Sequence, residues 1–157
     1  LRQELLGDLA CEVLLGTSTP LYARLYREGL VNRSFSYGYD SVPGAAFLVA
    51  GGESRDPEAV RDAVAAEAAR IAREGVDPAL WERIKKGVYG SRVRSLNSSE
   101  TLCIGQAQSF FSGSDLLRFP EVFRQIARED VEALIARWVI PERLALSVVR
   151  PGEEALA

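Results

Sequence analysis

Residues 15–39, LGTSTPLYARLYREGLVNRSFSYGY, contain the change of pattern that decides the fold. Thr19-Pro20 is typical of a helix start, and the apolar and aromatic residues after it recur at helical spacing as far as Glu28. Over Phe35–Tyr39, aromatic residues alternate with small ones, which is typical of a half-buried strand. The stretch therefore predicts a helix that leads directly into a sheet.

The segments on either side of this stretch add a helix, a strand and two helix starts. A wide apolar stripe predicts a well-buried helix over residues 1–15. Ser41–Gly44 has the composition of a turn, and the apolar run Ala45–Ala50 after it predicts a second strand, paired with the first. Asp56-Pro57 and Asp77-Pro78 each predict the start of a further helix.

The C-terminal third predicts three more helical segments and a last strand. Asn97–Glu100 resembles a capping box and opens a helix through Phe111, and residues 120–126 and 129–139 follow with helical patterns. Leu144–Val149 alternates as a strand does, and the tail 153–157 is expected to fray. The order predicts an α+β fold, with helices packed on one face of a mainly antiparallel sheet.

The composition fits one soluble domain over residues 1–157 and excludes several classes of site. The chain has 19 Lys plus Arg, 22 Asp plus Glu and no His, which gives a net charge of −3. Without His, the Ser-His-Asp and HExxH arrangements are impossible, and Cys11 and Cys103 alone cannot build a structural zinc site. Two buried thiols in a reduced, cytoplasmic protein are the simplest interpretation of these cysteines.

The same composition bears on partners. The acidic balance argues against nucleic acid, and no apolar run is long enough to span a membrane. The sequence at the start of the chain does not have the pattern of a signal peptide, so none is expected in these residues. The first residue is Leu1 and Met is absent, so we expect a fragment of a longer protein.

Four groups of residues suggest a functional site, but each has a simpler structural explanation. Residues 51–55, GGESR, suggest a phosphate loop but lack its motif, and residues 95–100 suggest a serine nucleophile but are explained as a helix cap. A cationic group suggests an anion-binding site, but a helix exposed to solvent explains it better. A tyrosine group suggests a peptide-binding groove, but half-buried tyrosines with a structural role explain it better. The cationic group is Lys85, Lys86, Arg92 and Arg94, and the tyrosine group is Tyr22, Tyr26, Tyr37 and Tyr39. Phe110, Phe111 and Phe119 are expected in the core or in an interface.

The order of short motifs along the chain resembles the pitrilysin/insulinase family of zinc peptidases, and more narrowly the C-terminal half of a processing-peptidase-like member. The similarity extends over nearly the whole chain. It is carried by Leu15-Gly16, Pro20-Leu21-Tyr22, Leu25-Tyr26, Glu28-Gly29-Leu30, Ser34–Tyr37, Lys86, Tyr89-Gly90, Glu129–Val131, Pro141–Arg143 and Leu144–Val149, with Pro151 after them.

That resemblance implies a metal-free half-domain, truncated at its N-terminal strands. In the family, two homologous α+β halves enclose a chamber, and the N-terminal half carries an inverted HxxEH zinc motif. The C-terminal half often supplies an Arg and a Tyr that hold the substrate. Tyr26 and Asn32 occupy those two positions here, so Arg27 and Tyr37 are the substitute substrate-binding candidates.

The resemblance therefore implies a non-catalytic C-terminal half of a zinc metalloendopeptidase. This half would form chamber wall, substrate-facing surface and dimer contacts, while zinc would sit in the N-terminal half of the same protein. Its partners would be that half, a peptide substrate, and a homologous subunit or a second copy of itself. The alternative is a scaffold or assembly subunit that is homologous to such peptidases but inactive. No catalytic residue, metal ligand or cofactor is expected in these 157 residues.

Overall fold

A computed structural model describes residues 1–42 and 44–150. The turn predicted at Ser41–Gly44 lies partly outside the described residues, because it includes Pro43. The predicted tail 153–157 lies wholly outside them. The described part contains seven α-helices and two strands. They are α1 (Arg2–Leu15), α2 (Pro20–Arg27), β1 (Ser36–Val42), β2 (Ala45–Gly51), α3 (Pro57–Glu74), α4 (Pro78–Ser95), α5 (Ser99–Phe111), α6 (Phe119–Arg124) and α7 (Arg128–Trp138). Short 3-10 turns at Leu116–Arg118 and Pro141–Arg143 complete it.

The helix starts predicted from the sequence are confirmed, because each capping side chain satisfies a backbone N–H of the first turn. Thr19 accepts a hydrogen bond from the Tyr22 amide at 3.2 Å. Asp56 and Asp77 do the same for residues 59 and 80, at 2.9 and 2.8 Å. A proline follows each of these three caps and fixes the first helical φ angle.

Helix α1 forms the centre of the core. Leu5, Leu9 and Ala10 on this helix are completely buried. Helices α3, α4, α6 and α7 and strand β1 all contact it. The wide apolar stripe of the sequence is therefore explained by packing on several sides at once.

Strands β1 and β2 pair antiparallel, with Tyr37 opposite Ala50 and Tyr39 opposite Leu48. The ring of Tyr39 lies against the backbone of α1 at Gly7, where a Cβ would overlap the ring. The same ring stacks on Trp138 of α7, with centroids 6.4 Å apart. Tyr39 thus packs the hairpin against the helical layer and needs a glycine beneath its ring.

The strand predicted over Leu144–Val149 is wrong. Among the described residues the sheet contains only β1 and β2, and residues 144–150 follow the Pro141–Arg143 turn without joining it. The alternating pattern is present, but a strand also needs a neighbouring backbone to bond to, and a cleft separates this segment from β2. The α+β class, with an antiparallel sheet against helices, is confirmed.

None of the helices in the described part combines the length and the apolar character that a bilayer crossing requires.

Candidate functional site

The two substrate-binding candidates from the sequence occupy different environments. Arg27 lies exposed in the last turn of α2. Tyr37 is half-buried on β1, and its hydroxyl donates a hydrogen bond of 3.2 Å to Oε2 of Glu12 on α1. The structure therefore places Tyr37 in a polar pocket of the protein and leaves Arg27 on the surface.

This polar pocket lies between α1, β1 and α4 and has a volume of about 200 Å³. Arg92 of α4 forms ion pairs with Asp8 and Glu4 of α1, the latter at 3.0 Å. The Arg92 side chain is 22% exposed, whereas the side chains of Asp8 and Glu4 are 32% and 49% exposed, so the pair with Glu4 lies at the edge of the pocket. The pocket is lined by Asp8, Cys11, Glu12, Tyr37, Gly38, Val88, Ser91 and Arg92.

Burial dominates the electrostatics of the two carboxyl groups in this pocket. Burial raises the pKa of Glu12 above its usual value, although the hydrogen bond from Tyr37 opposes the rise. Burial likewise raises the pKa of Asp8, against the attraction of Arg92. Both groups are thus easier to protonate in the folded protein than in water.

Cys11 and Tyr37, which also line the pocket, stay neutral near pH 7. Burial raises the pKa of the Cys11 thiol to about 12, and the nearby carboxylates of Asp8 and Glu12 add to the rise. Burial and Glu12 together raise the pKa of Tyr37 to about 12. Cys11 is therefore a thiol and not a nucleophilic thiolate, and Tyr37 acts as a hydrogen-bond donor. Tyr37 is bonded to Glu12 and Arg92 to Asp8, which is typical of a structural cluster.

Asn32 has a structural role in the described residues. Its amide donates to Oε2 of Glu53 at 3.0 Å, and its Oδ1 accepts from the Ser34 amide at 2.7 Å. This side chain therefore closes the turn that leads into β1. Tyr26, at the other family position, is 47% exposed on α2.

A row of aromatic rings connects the surface of α2 with the polar pocket. Tyr26 stacks on Tyr22 with centroids 5.9 Å apart, and Tyr22 contacts Phe35 at 6.1 Å. Phe35 in turn contacts Tyr37 at 6.4 Å. The predicted tyrosine group is therefore partly brought together, while Tyr39 packs on the opposite side against Trp138.

The loop at residues 51–55 and the serine-rich segment have the structural roles that the sequence favoured. The Glu53 amide donates to the Ser34 hydroxyl at 3.0 Å, and Arg55 donates to the backbone carbonyl of Glu28. Ser98 caps α5 by accepting from the Thr101 amide at 3.2 Å. The loop joins β2 to α3 while holding the end of α2.

The cationic group divides into two pairs, so the prediction of a fully solvated helix is wrong for two of its members. Lys85 donates to the carbonyl of Ile126 at 2.6 Å and lies 5.3 Å from the centre of the Trp81 ring. Arg92 is half-buried and forms the ion pairs with α1. Lys86 and Arg94 are exposed, as expected. A long side chain reaches a buried acceptor through tertiary packing that helical spacing does not encode.

The prediction of two buried thiols is also wrong in part. Both cysteines are free, but Cys11 is buried on α1 and Cys103 is exposed on α5. Of the three phenylalanines expected in a core or interface, Phe119 is buried, whereas Phe110 and Phe111 are 78% and 86% exposed. Helix α5 therefore presents its apolar residues outward, because few described elements pack against it.

Across the described residues, no three His, Cys, Asp or Glu side chains come close enough to hold a metal ion. A catalytic zinc needs about three such ligands and an open position. Asp8, Glu12 and Arg92 are the polar residues that sequence analysis missed as a cluster. Their only local signal is the i, i+4 spacing of Glu4, Asp8 and Glu12 on one face of α1.

Comparison with protein families gives a match over residues 1–88 to the family described as the peptidase M16 inactive domain. Among curated proteins, the chain is 28% identical over 151 residues to the uncharacterized zinc protease YmfH of Bacillus subtilis. That match takes in 96% of this chain but 35% of the relative. The chain thus spans about a third of the length of this relative.

Solved structures show the same fold. A candidate M16-like peptidase from Alicyclobacillus acidocaldarius superposes with a TM-score of 0.80 at 22% identity, over 86% of this chain and 33% of its own. The inactive peptidase domain of a candidate zinc protease from Bordetella parapertussis gives 0.78 at 13% identity, over 98% of this chain and 87% of its own.

Proposed function

The chain belongs to the M16 peptidase family as a copy of its inactive domain, and from that membership we propose that it is the metal-free half of a longer zinc metalloendopeptidase. The family match confirms the pitrilysin/insulinase resemblance drawn from the sequence. The observation that carries the proposal is the match to an inactive domain by a chain that contains no His at all.

In this proposal, zinc and the catalytic Glu belong to the other half of the protein. Metal-bound water would attack the peptide carbonyl there, and this half supplies no ligand to the metal. The described residues include no cluster of side chains able to hold a metal ion, which supports placing the zinc in the other half. The neutral Cys11 thiol and the hydrogen-bonded Tyr37 also offer no nucleophile.

We assign to this half the wall of a chamber and a surface that faces the peptide substrate. The aromatic row from Tyr26 to Tyr37 supports the assignment, because aromatic faces contact peptides at low entropic cost. Arg27 follows Tyr26 in the last turn of α2 and adds an exposed cation to this end of the helix. A backbone or carboxylate oxygen of an extended peptide is the group that such a cation would bind.

The partners in this proposal are the catalytic half and a homologous subunit or second copy. Exposed apolar side chains on α5, Ile104, Phe110 and Phe111 among them, support a contact surface on that side of the domain. Two free cysteines support a reducing, cytoplasmic location.

The test uses the full-length gene product and a version that lacks these 157 residues. The full-length protein is expected to hold one zinc per chain and to hydrolyse a fluorogenic peptide, with loss of activity after chelation. The shortened version is expected to keep zinc but to lose at least 90% of its peptide turnover, because the chamber is open. Adding the separately expressed 157-residue chain should restore part of the activity.

A full-length protein that holds no zinc and cleaves no peptide would contradict the proposal. That result would favour a scaffold or assembly subunit. Full activity in the shortened version would also contradict it, since this half would then be dispensable for hydrolysis.

A further inference from the structure

Helix α5 has one apolar face that the described part of the domain leaves uncovered. Cys103, Ala107 and Phe110 follow one another at intervals of four and three residues, so their side chains share one face of the helix. Ile104 and Phe111 lie beside them on the same face, and all five residues are exposed. The rings of Phe110 and Phe111 meet edge to face, with centroids 5.6 Å apart. We call these five residues the α5 face.

The opposite side of α5 is the one that contacts the domain. Leu102, Gly105 and Ser109 lie there, and Ser109 is buried. This side packs on the Leu116–Arg118 turn, where a Cβ at Gly105 would lie 3.1 Å from the Leu116 side chain. A helix of 13 residues is marginal in water on its own, since helices in proteins are stabilised mainly by packing. A second packing partner for α5 would therefore lie on the α5 face.

The outer surface of α5 is uncharged. Residues 101–114 contain no Asp, Glu, Lys or Arg, although 26% of the whole chain is charged. Glu100 and Asp115 bound this stretch at its two ends. A surface helix normally carries charged residues opposite its buried side, whereas the centre of a protein interface is depleted in charge and has a polar rim. The composition of α5 is therefore that of an interface.

The polar side chains beside the α5 face favour a second copy of this chain as the partner. In a two-fold contact the same surface meets itself, so a charge at its centre would meet a like charge. The exposed polar side chains here include Gln106 and Gln108. An amide both donates and accepts hydrogen bonds, so two identical amides can pair, whereas two carboxylates or two ammonium groups repel each other. The surface of α5 is thus complementary to itself.

The apolar area of the α5 face is also sufficient for a dimer. An aromatic side chain buries about 150–250 Å² when it is enclosed, so the four phenylalanine rings of two copies supply about 600–1,000 Å². Ile104, Cys103 and Ala107 add to this area. A specific interface buries about 1,000 Å² or more in total, so two α5 faces reach the size of a weak, reversible dimer.

We propose that two copies of this chain associate through their α5 faces, in a two-fold contact that brings both Cys103 thiols into one interface. The inference rests on the proposed function only in that it selects one of the partners named there. Its test measures association and neither zinc nor peptide turnover. A negative result would therefore remove the dimer and leave the assignment of a metal-free half unchanged.

Analytical ultracentrifugation of the 157-residue chain is expected to show a reversible monomer–dimer equilibrium with a dissociation constant below about 1 mM. Ile104→Lys and Ile104→Glu should each weaken the dimer at least tenfold, because each places two like charges in a symmetric contact. An equimolar mixture of the two variants should associate at least tenfold more tightly than either alone, since the charges are then opposite. Phe47→Lys, at an exposed aromatic residue of β2, is the matched control and should leave the dimer unchanged.

Cross-linking identifies the surface independently. A long, flexible bismaleimide should join two wild-type chains through Cys103, which is exposed, whereas Cys11 is buried. Cys103→Ser should abolish the cross-linked product while the sedimentation of the dimer stays the same. Circular dichroism and thermal melting verify that each variant is folded.

Four results would overturn the inference. One is a wild-type chain that stays monomeric at about 1 mM, because the α5 face would then belong to another partner. Another is a dimer that Phe47→Lys disrupts and Ile104→Lys does not, which would place the contact on the sheet. The third is a mixture of the oppositely charged variants that associates no more tightly than each variant alone. The fourth is a dimer whose Cys103 thiols the bismaleimide does not join.

Discussion

Tyr37 on β1 donates a hydrogen bond of 3.2 Å to Glu12 on α1, and this bond joins the sheet to the central helix across a sequence separation of 25. The same carboxyl group lies beside Asp8 and Cys11 in the polar pocket. Polar contacts therefore join α1 to β1 through Glu12 and to α4 through Asp8. These contacts explain why polar side chains lie inside the domain, and none of them requires a catalytic role.

Tyr37→Phe should destabilise the domain by about 1 kcal/mol, because Glu12 loses a hydrogen-bond donor in a partly buried position. Urea unfolding at pH 7 measures the change. Tyr26→Phe on the exposed face of α2 is the matched control and should be neutral within about 0.5 kcal/mol. Equal stability losses in the two variants would contradict the role given to the Tyr37 hydroxyl.

Glu12→Gln should flatten the dependence of stability on pH. Because the pKa of Glu12 is raised in the folded state, the native protein binds this proton more tightly than the unfolded chain. That contribution to stability is complete below the unfolded pKa of about 4.3 and is lost as the pH rises through the folded pKa. Glutamine keeps an acceptor for Tyr37 but does not titrate.

The measurement is urea unfolding of both proteins between pH 4 and pH 7. Stability of the wild-type chain should fall more over this interval than that of Glu12→Gln. Asp8 has a raised pKa as well, so part of the slope should persist in the variant. A steeper slope in Glu12→Gln than in the wild type would disprove the assignment.

Gly7→Ala and Gly87→Ala should change stability in opposite directions, although both glycines lie within helices. A Cβ at Gly7 would overlap the Tyr39 ring, and the resulting overpacking should cost about 1–3 kcal/mol. A Cβ at Gly87 meets no atom within 4 Å, so helix propensity should stabilise that variant by up to about 1 kcal/mol. Thermal unfolding of the two variants decides the matter, and a stabilised Gly7→Ala would show that the hairpin does not pack as described.

Asn32→Ala in the full-length protein should leave peptide hydrolysis within a few-fold of the wild type. The side chain closes a turn through Glu53 and the Ser34 amide and has no need to hold substrate. Values of kcat/KM for one fluorogenic peptide test this. A hundredfold loss, or about 2.7 kcal/mol of transition-state stabilisation, would instead make Asn32 a substrate-binding residue.

Local signals in the sequence were sufficient for the helices and the hairpin. Thr19, Asp56 and Asp77 cap their helices through bonds that span three residues, so the sequence contains all that is needed to place them. The alternation at residues 35–39 likewise predicted β1, although the strand extends to Val42. These elements depend on neighbours along the chain and on a buried face.

Features that depend on distant residues were not predictable in the same way. Arg92 meets Asp8 across a sequence separation of 84, and Lys85 meets Ile126 across 41. Helical spacing alone predicted that both cationic side chains would be exposed to solvent. The strand expected at Leu144–Val149 failed for a related reason, since no strand among the described residues pairs with it. A segment with strand propensity is able to join a sheet, but it does so only where a neighbouring strand forms hydrogen bonds with it.

The central claim, that this chain is the metal-free half of its family's architecture, is tested most directly by the zinc content of the purified 157-residue chain. The chain is saturated with zinc, passed through a desalting column and examined by elemental analysis. Because no His is present and no cluster of three ligands forms in the described residues, we predict well under 0.1 zinc per folded chain. One tightly bound zinc per chain, released only by a chelator, would contradict the account.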